Sequence, residues 1–294
     1  MSMEHIDQRE LFEKKYQRFR KDISEMLIER QTAITENPTR WFPHALSEPM
    51  IQSTFDPFLK PDSSVLDVGC GVGASLLPFV SRGVTVLGID FSRKGIERAR
   101  KIYRNISSER IRFRYGNFFT FHSKKSFSVI SMQTFLEHVS DFNQARIAFI
   151  KAKSLLSHGG VLYIYTVNKR FSLRKIASTI APGFRQNQLR AMGHVNELFY
   201  DEADLHKLYS SCGFKKPTIH YVYPPIAFLF DLWIFPKILA YVLQPTIGNW
   251  RRLILKIAYD GVILPVVKCV SVLDRVFIRY RDSSGIIAVA QRSE

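Results

Sequence analysis

Between Glu4 and Gln31 the apolar residues Ile6, Leu11, Phe12, Phe19, Ile23, Met26 and Leu27 recur, several of them three, four or seven residues apart, with charged residues between them. That spacing predicts an amphipathic helix lying on something apolar. Asn37-Pro38 ends it, and a second short helix is expected from about Ser47 to Leu59. From Ser64 onward short apolar runs alternate with helical patterns. Strands are expected over 64–68, 83–89, 111–115, 127–132 and 161–167, helices over 93–103 and 141–156, and a turn at His158-Gly159-Gly160. Strands interleaved with helices imply an α/β fold whose parallel sheet is covered on both faces.

Beyond Asn168 the pattern changes. Residues 169–193 are basic and amphipathic; a helix is expected over 201–212 and strands over 218–223 and 285–291. Between the last two strands runs a long aromatic and aliphatic stretch. A bilayer span needs about 20 predominantly apolar residues. Pro224–Leu243 is interrupted by Asp231, Pro236 and Lys237, and Leu253–Val272 by Lys256, Asp260, Gly261, Pro265 and Lys268. Neither stretch suits a span. Both suit an interfacial element, a greasy pocket wall or ordinary helices of an insertion. The expected organisation is an N-terminal helical cap (1–60), a core (61–223) with a basic lid (169–193), a hydrophobic helical insertion (224–281) and a last core strand within 282–294.

The chain has 294 residues, 46% of them hydrophobic, which is enough for a full core and excludes global disorder. Three irregularly spaced Cys exclude a disulfide framework and suit a reducing compartment. The N-terminus is charged throughout, so no signal peptide is expected and the cytoplasm is the expected location. The charge is more telling: 42 Lys and Arg against 26 Asp and Glu, a net +16. Residues 1–50 are nearly balanced, whereas 151–200 hold eight basic residues against one acidic, Glu197. Such an excess fits nucleic acid, an anionic membrane surface, or merely a soluble basic protein. Charge alone does not choose.

Chemistry enters at Val65-Leu66-Asp67-Val68-Gly69-Cys70-Gly71-Val72-Gly73. A buried strand breaks into three alternating Gly, which lets the backbone turn sharply and approach a ligand. Asp90 ends the next strand 21 residues after Gly69, the spacing at which a carboxylate receives ribose hydroxyls. NAD and S-adenosylmethionine both fit so far. The third Gly of a dinucleotide fingerprint would fall at Ala74, and Asp67 places a carboxylate where it suits an ammonium or sulfonium better than a pyrophosphate. Both details favour S-adenosylmethionine.

Val65–Gly73 resembles motif I of the class I S-adenosylmethionine-dependent methyltransferases, and Val86–Ser92 resembles their motif II. Gly116-Asn117-Phe118, Phe127–Val139 and Leu155–Gly160 resemble later motifs in the right order, with Asn117 where that family usually has Asp and His158 in place of a Pro. Leu136–Val139 and Gly193–Phe199 are similar to the ubiquinone and menaquinone biosynthesis methyltransferase-like group. The resemblance implies a Rossmann-like, seven-stranded, mostly parallel sheet with helices on both faces. It implies cofactor contacts from Asp67, Gly69, Cys70, Gly71, Gly73, Asp90, Phe91, Ser92, Asn117, Phe118 and Gln133; Arg40, in the N-terminal helix region, is a separate candidate for meeting the cofactor carboxylate. Cys70 is expected as a small packed side chain, not a nucleophile. Some relatives carry Glu-x-x-Glu-His, associated with a divalent metal; here Thr134 replaces the first Glu, and no metal site is expected.

His138, Glu137 and His194 are the candidates for catalysis, because a neutral imidazole or carboxylate takes a proton from a hydroxyl as its oxygen attacks the methyl group. Methyl transfer also proceeds by positioning and desolvation alone. The expected acceptor is a hydrophobic or lipid-linked small molecule, most simply an oxygen nucleophile, met at an anionic membrane surface. A nucleic-acid methyltransferase is disfavoured: Met132-Gln133-Thr134-Phe135 stands where base-amine enzymes carry an Asn/Asp-Pro-Pro-aromatic motif. A non-catalytic cofactor-binding protein is the third alternative.

Overall fold

In the computed structural model, which describes residues 54–76, 79, 82–104, 110–171, 198–222 and 280–293, seven strands form one sheet. They are β1 (Ser64–Val68), β2 (Thr85–Asp90), β3 (Ile111–Tyr115), β4 (Phe127–Gln133), β5 (Leu156–Val167), β6 (Thr218–Val222) and β7 (Gly285–Gln291). The order is β3-β2-β1-β4-β5-β7-β6. The first five strands are parallel, and β7 runs antiparallel to both its neighbours. β1 is the innermost strand of the parallel half, and four of its five residues are buried, as a strand covered on both faces requires. The seven-stranded, mostly parallel α/β sheet expected from the resemblance is thus the observed fold.

Alternation along the strands divides the core. Leu66, Val68, Ile130 and Met132 point to one face, where α2 (Phe142–Leu155) and α3 (Glu202–Ser211) pack. Val65, Val86 and Val129 point to the other, covered by Phe55, Phe79 and α1 (Arg93–Ile102). Each helix begins on a side-chain cap. Ser92 Oγ accepts from Gly95 N at 3.0 Å, Asp141 Oδ1 accepts from Gln144 N at 2.8 Å, and Asp201 and Asp204 form a reciprocal capping box. The bond from Gln144 N holds the Asp141 carboxyl below its ordinary range. α2 buries Ala145, Ala148, Phe149, Ala152 and Leu155, a helical stripe whose three Ala bring the backbone close to the sheet.

Two expectations change in detail. The turn at His158-Gly159-Gly160 is a bulge within β5: the register against β4 jumps from Phe127↔Leu156 to Val129↔Val161, with Gly159 at φ +68°. The 83–89 strand begins two residues later and includes Asp90. Nearly all of the N-terminal cap, the lid and the insertion lie outside the described residues. Where the lid begins, Lys169 and Arg170 are ion-paired to Asp204 (3.3 Å) and Asp201 (3.4 Å) of the α3 cap, so these two cations are engaged within the fold.

Tyr209 ties the layers together. It is fully buried against Phe149 and Phe214, and its hydroxyl donates to the carbonyls of Leu162 (3.1 Å) and Ala288 (2.8 Å), on β5 and β7. Tyr209→Phe removes a shared buried hydrogen bond and is expected to cost about 1–2 kcal/mol. Urea unfolding should show a lower midpoint at unchanged slope.

Candidate cofactor site

A cavity of about 400 Å³ opens at the carboxyl ends of β1 to β4. This is the side of the sheet where strand order reverses, the place at which open α/β sheets bind ligands. Four loops build it: Gly69 after β1, Asp90 and Phe91 after β2, Gly116 to Phe119 after β3, and Thr134, Phe135 and His138 to Ser140 after β4. Ile89 and Gln144 complete the wall. The lining is aromatic with a few convergent polar groups, the usual character of a small-molecule site.

The Gly-rich loop is held from below. Gly69 N and Cys70 N both donate to Ile89 O (2.9 and 3.1 Å), Gly71 N donates to Asp90 Oδ2 (2.8 Å), and Ser92 N donates to Asp90 Oδ1 (2.7 Å). Asp90 therefore clamps the loop to the end of β2. The same carboxylate lines the cavity. Gly69 has φ +73°, and a Cβ there would lie 3.1 Å from the Phe135 ring, so only glycine leaves this wall open.

The other expected site residues divide. Gly69, Asp90, Phe91, Asn117, Phe118 and His138 come together on the cavity. Asn117 Oδ1 already accepts from Phe119 N at 2.9 Å, so the amide oxygen serves first as the cap of a short 3-10 turn. Gly73 packs where a Cβ would meet Tyr103 at 2.7 Å, and the Tyr103 hydroxyl donates to its carbonyl. Its role is loop–helix packing. Cys70 turns its thiol into the core against Gly88, and burial pushes that thiol up. Ser92 is buried as the α1 cap. Gln133 bonds Ser131 Oγ at 3.2 Å and is not on the cavity wall. Arg40 and His194 lie outside the described residues.

Two carboxylates differ from expectation. Glu137, fully buried, accepts from Val167 N at 2.9 Å and pins the end of β5; it does not line the cavity, because the 3-10 turn Leu136–His138 points neighbouring side chains in different directions. Asp67 is also buried, on the α1 side of β1 below the loop rather than on the cavity. Its Oδ2 accepts from Ser75 Oγ at 2.6 Å, while Oδ1 is buried without a hydrogen-bond partner. Burial pushes the carboxyl up to about 7, with the hydroxyls of Ser75 and Ser131 offsetting part of the rise and Asp90 adding to it.

Sequence reasoning did not single out Phe119, Phe135 or Gln144. The first two follow strand ends, the positions that face the crevice of an open sheet, and that signal was available. Gln144 carries no such signal. Thr134 entered only in the metal comparison; it lines the cavity with φ +53°, the sole non-glycine residue in the left-handed region among the described residues.

A methyltransferase domain family matches residues 26–218, more than half of the chain. The chain belongs to that family. The enzyme class expected from the motifs, an S-adenosylmethionine-dependent methyltransferase, is the class of this family, and S-adenosylmethionine is its cofactor. The residues present fit that group: an open glycine wall, the Asp90 carboxylate on the cavity and aromatic surfaces. A ubiquinone biosynthesis O-methyltransferase of Pelagibacter ubique (strain HTCC1062) is 37% identical over 106 residues, 36% of this chain and 42% of the relative. One from Bartonella bacilliformis is 34% identical over 119 residues, 39% of this chain and 46% of the relative. The chain thus spans less than half the length of these curated relatives. Among solved structures, phosphoethanolamine N-methyltransferase 2 of Haemonchus contortus in complex with S-adenosyl-L-methionine superposes with TM-score 0.60 at 14% identity, over all of this chain and 62% of that one. Magnesium protoporphyrin IX methyltransferase of Synechocystis PCC 6803 gives 0.53 at 15%, over 92% and 95%. At these identities the likeness shows the fold.

The raised Asp67 carboxyl makes stability depend on pH. The folded chain keeps this proton over a range in which the unfolded chain has lost it, so the contribution to stability falls as pH rises from about 4 to about 7 and is level above. Asp67→Asn removes that decline. Its stability relative to the wild type should rise across the window, as read by urea unfolding at about pH 4.5, 6 and 7.5.

Proposed function

We propose that the chain methylates a hydroxyl of a hydrophobic small molecule of the quinone-precursor type, working as a peripheral protein at a membrane surface. The cavity wall carries this reading. Phe91, Phe118, Phe119 and Phe135 offer apolar surface, and His138 is the one imidazole among them. Aromatic walls bind an apolar ring and exclude water, which strengthens the electrostatics inside. Curated relatives named for ubiquinone biosynthesis O-methylation support oxygen as the attacked atom. Among the described residues no helix is long and apolar enough to cross a membrane.

S-Adenosylmethionine, when bound, supplies an electrophilic methyl group on a sulfonium. The protein's part is to hold and to orient. Asp90, on the cavity wall, would accept hydrogen bonds from ribose hydroxyls, and the Gly69 turn would let the ligand approach the backbone. Phe118 and Phe119, beside Asn117 on the cavity wall, would hold the adenosine. His138, half-buried on the opposite loop, takes the acceptor's proton on an imidazole nitrogen as the hydroxyl oxygen attacks. Glu137 contributes only by fixing the turn that carries His138.

Asp90→Ala removes both the clamp and the ligand's acceptors, and should weaken S-adenosylmethionine binding at least tenfold by calorimetry; unchanged affinity would remove Asp90 from the site. Incubation with methyl-labelled cofactor and a total lipid extract should give a labelled, base-stable methyl ether in the organic phase. His138→Ala should then lower kcat roughly 10²-fold with KM little changed. Label found only in RNA, or in no acceptor from any extract, would sink the proposal.

A further inference from the structure

The outer edge of the sheet carries an unusual concentration of charge. Residues 93–104 and 110–125 hold 11 Lys and Arg against a single carboxylate, Glu97. β3 is the edge strand, and its alternation puts Ile111 and Phe113 under α1 while Arg112 and Arg114 stand exposed on the opposite side. The cations flank the edge strand on both sides, those of α1 on one face and Arg112 and Arg114 on the other. Arg93 stacks over Tyr115 at 5.1 Å, Arg100 donates to Phe113 O at 2.9 Å, and Arg114 lies over Phe121 at 5.0 Å, at the start of the return segment that carries exposed Lys124 and Lys125. Among the described residues, Arg100, Arg112, Arg114, Lys124 and Lys125 make no ion pair, in contrast to Lys169 and Arg170. Like charges gathered without counter-charges repel one another and raise the local affinity for a polyanion.

We propose that the β3–α1 edge docks on an anionic lipid bilayer and so brings the cavity to the membrane surface. The edge adjoins the cavity directly: Tyr115 precedes Gly116 and Asn117, and Arg93 follows Phe91, all three neighbours being lining residues. Tyr115, 37% exposed, is the one exposed large aromatic among the described residues. A single such ring suits the headgroup level of a bilayer, whereas single-stranded nucleic acid is gripped by a series of exposed stacking aromatics, which this edge lacks. Guanidinium and ammonium groups meet lipid phosphates without any groove. The choice of a lipid partner rests on the hydrophobic acceptor proposed above; the cationic surface itself does not.

The test is flotation of the full chain with vesicles of phosphatidylcholine containing about 30% phosphatidylglycerol, against phosphatidylcholine alone, at low and raised salt. The wild type should float only with the anionic vesicles and release as salt rises. R112E/R114E should lose at least tenfold in vesicle affinity while keeping its circular dichroism and its affinity for S-adenosylmethionine; R112Q/R114Q serves if the reversal disturbs folding. K215E/K216E, which removes the same kind of exposed charge at the opposite end of the sheet, should stay within twofold of wild type. Vesicle binding unaffected by the Arg112 and Arg114 substitutions, self-association of the variants as their only defect, or retention of an RNA oligonucleotide with no binding to vesicles would each overturn the docking. Edge-dependent vesicle binding without any methylated lipid product would leave the docking standing and count against the hydrophobic acceptor.

Discussion

The two hydrogen bonds that the Asp90 carboxylate accepts, from Gly71 N and Ser92 N, are the constraint on which the site depends. One reaches back across the sheet to the loop after β1; the other holds the start of α1. Two pieces of chain 19 residues apart, the loop after β1 and the β2–α1 junction, thereby share one anion. Without it the Gly-rich loop, whose φ angles are all positive at its glycines, would lose the tie that joins its middle to the end of β2. Charged acceptors make stronger hydrogen bonds than neutral ones, and a buried carboxylate facing backbone N–H groups replaces the solvation it loses. The carboxylate that lines the cavity is also the one that ties its loops together.

From that clamp the rest follows by topology. The strand order places β1 between β2 and β4, so chains leave their carboxyl ends toward opposite faces and open a crevice. What fills its walls is set by the short turns after β3 and β4, and these are rich in Phe. The site is accordingly a greasy slot with a polar floor. Such a slot loses little by expelling water, which suits a displacement at a methyl group in which charge is dispersed rather than created.

Most of the sheet could be read from the sequence because covered strands have a plain signature: short β-branched runs between glycines and polar turns. Asp90 was legible for the same reason, being the last residue of such a run. Asp67 and Glu137 were not. Both lie one or two residues from cavity-lining positions, and a step of one residue in a strand, or of one in a 3-10 turn, sends the side chain to a different face. The sequence pattern gives the spacing of the carboxylates without their direction. Gln133 was misread in the same way, since it shares a face with Ser131 rather than with Thr134. The bulge in β5 escaped because Gly-Gly reads as a turn whether or not the strand resumes on the same line.

The last strand lies between two that precede it. β7 pairs with β5 along seven positions and with β6 along five, and just beyond it the Arg292 guanidinium donates to the carbonyls of Lys153 and Leu156 at the end of α2. During synthesis, therefore, β6 emerges with no neighbour to join, and the parallel half of the sheet carries an unprotected flank until residues 285–292 arrive. The sheet closes on β7. A chain without residues 285–292 would retain every loop of the cavity and still present two open strand edges.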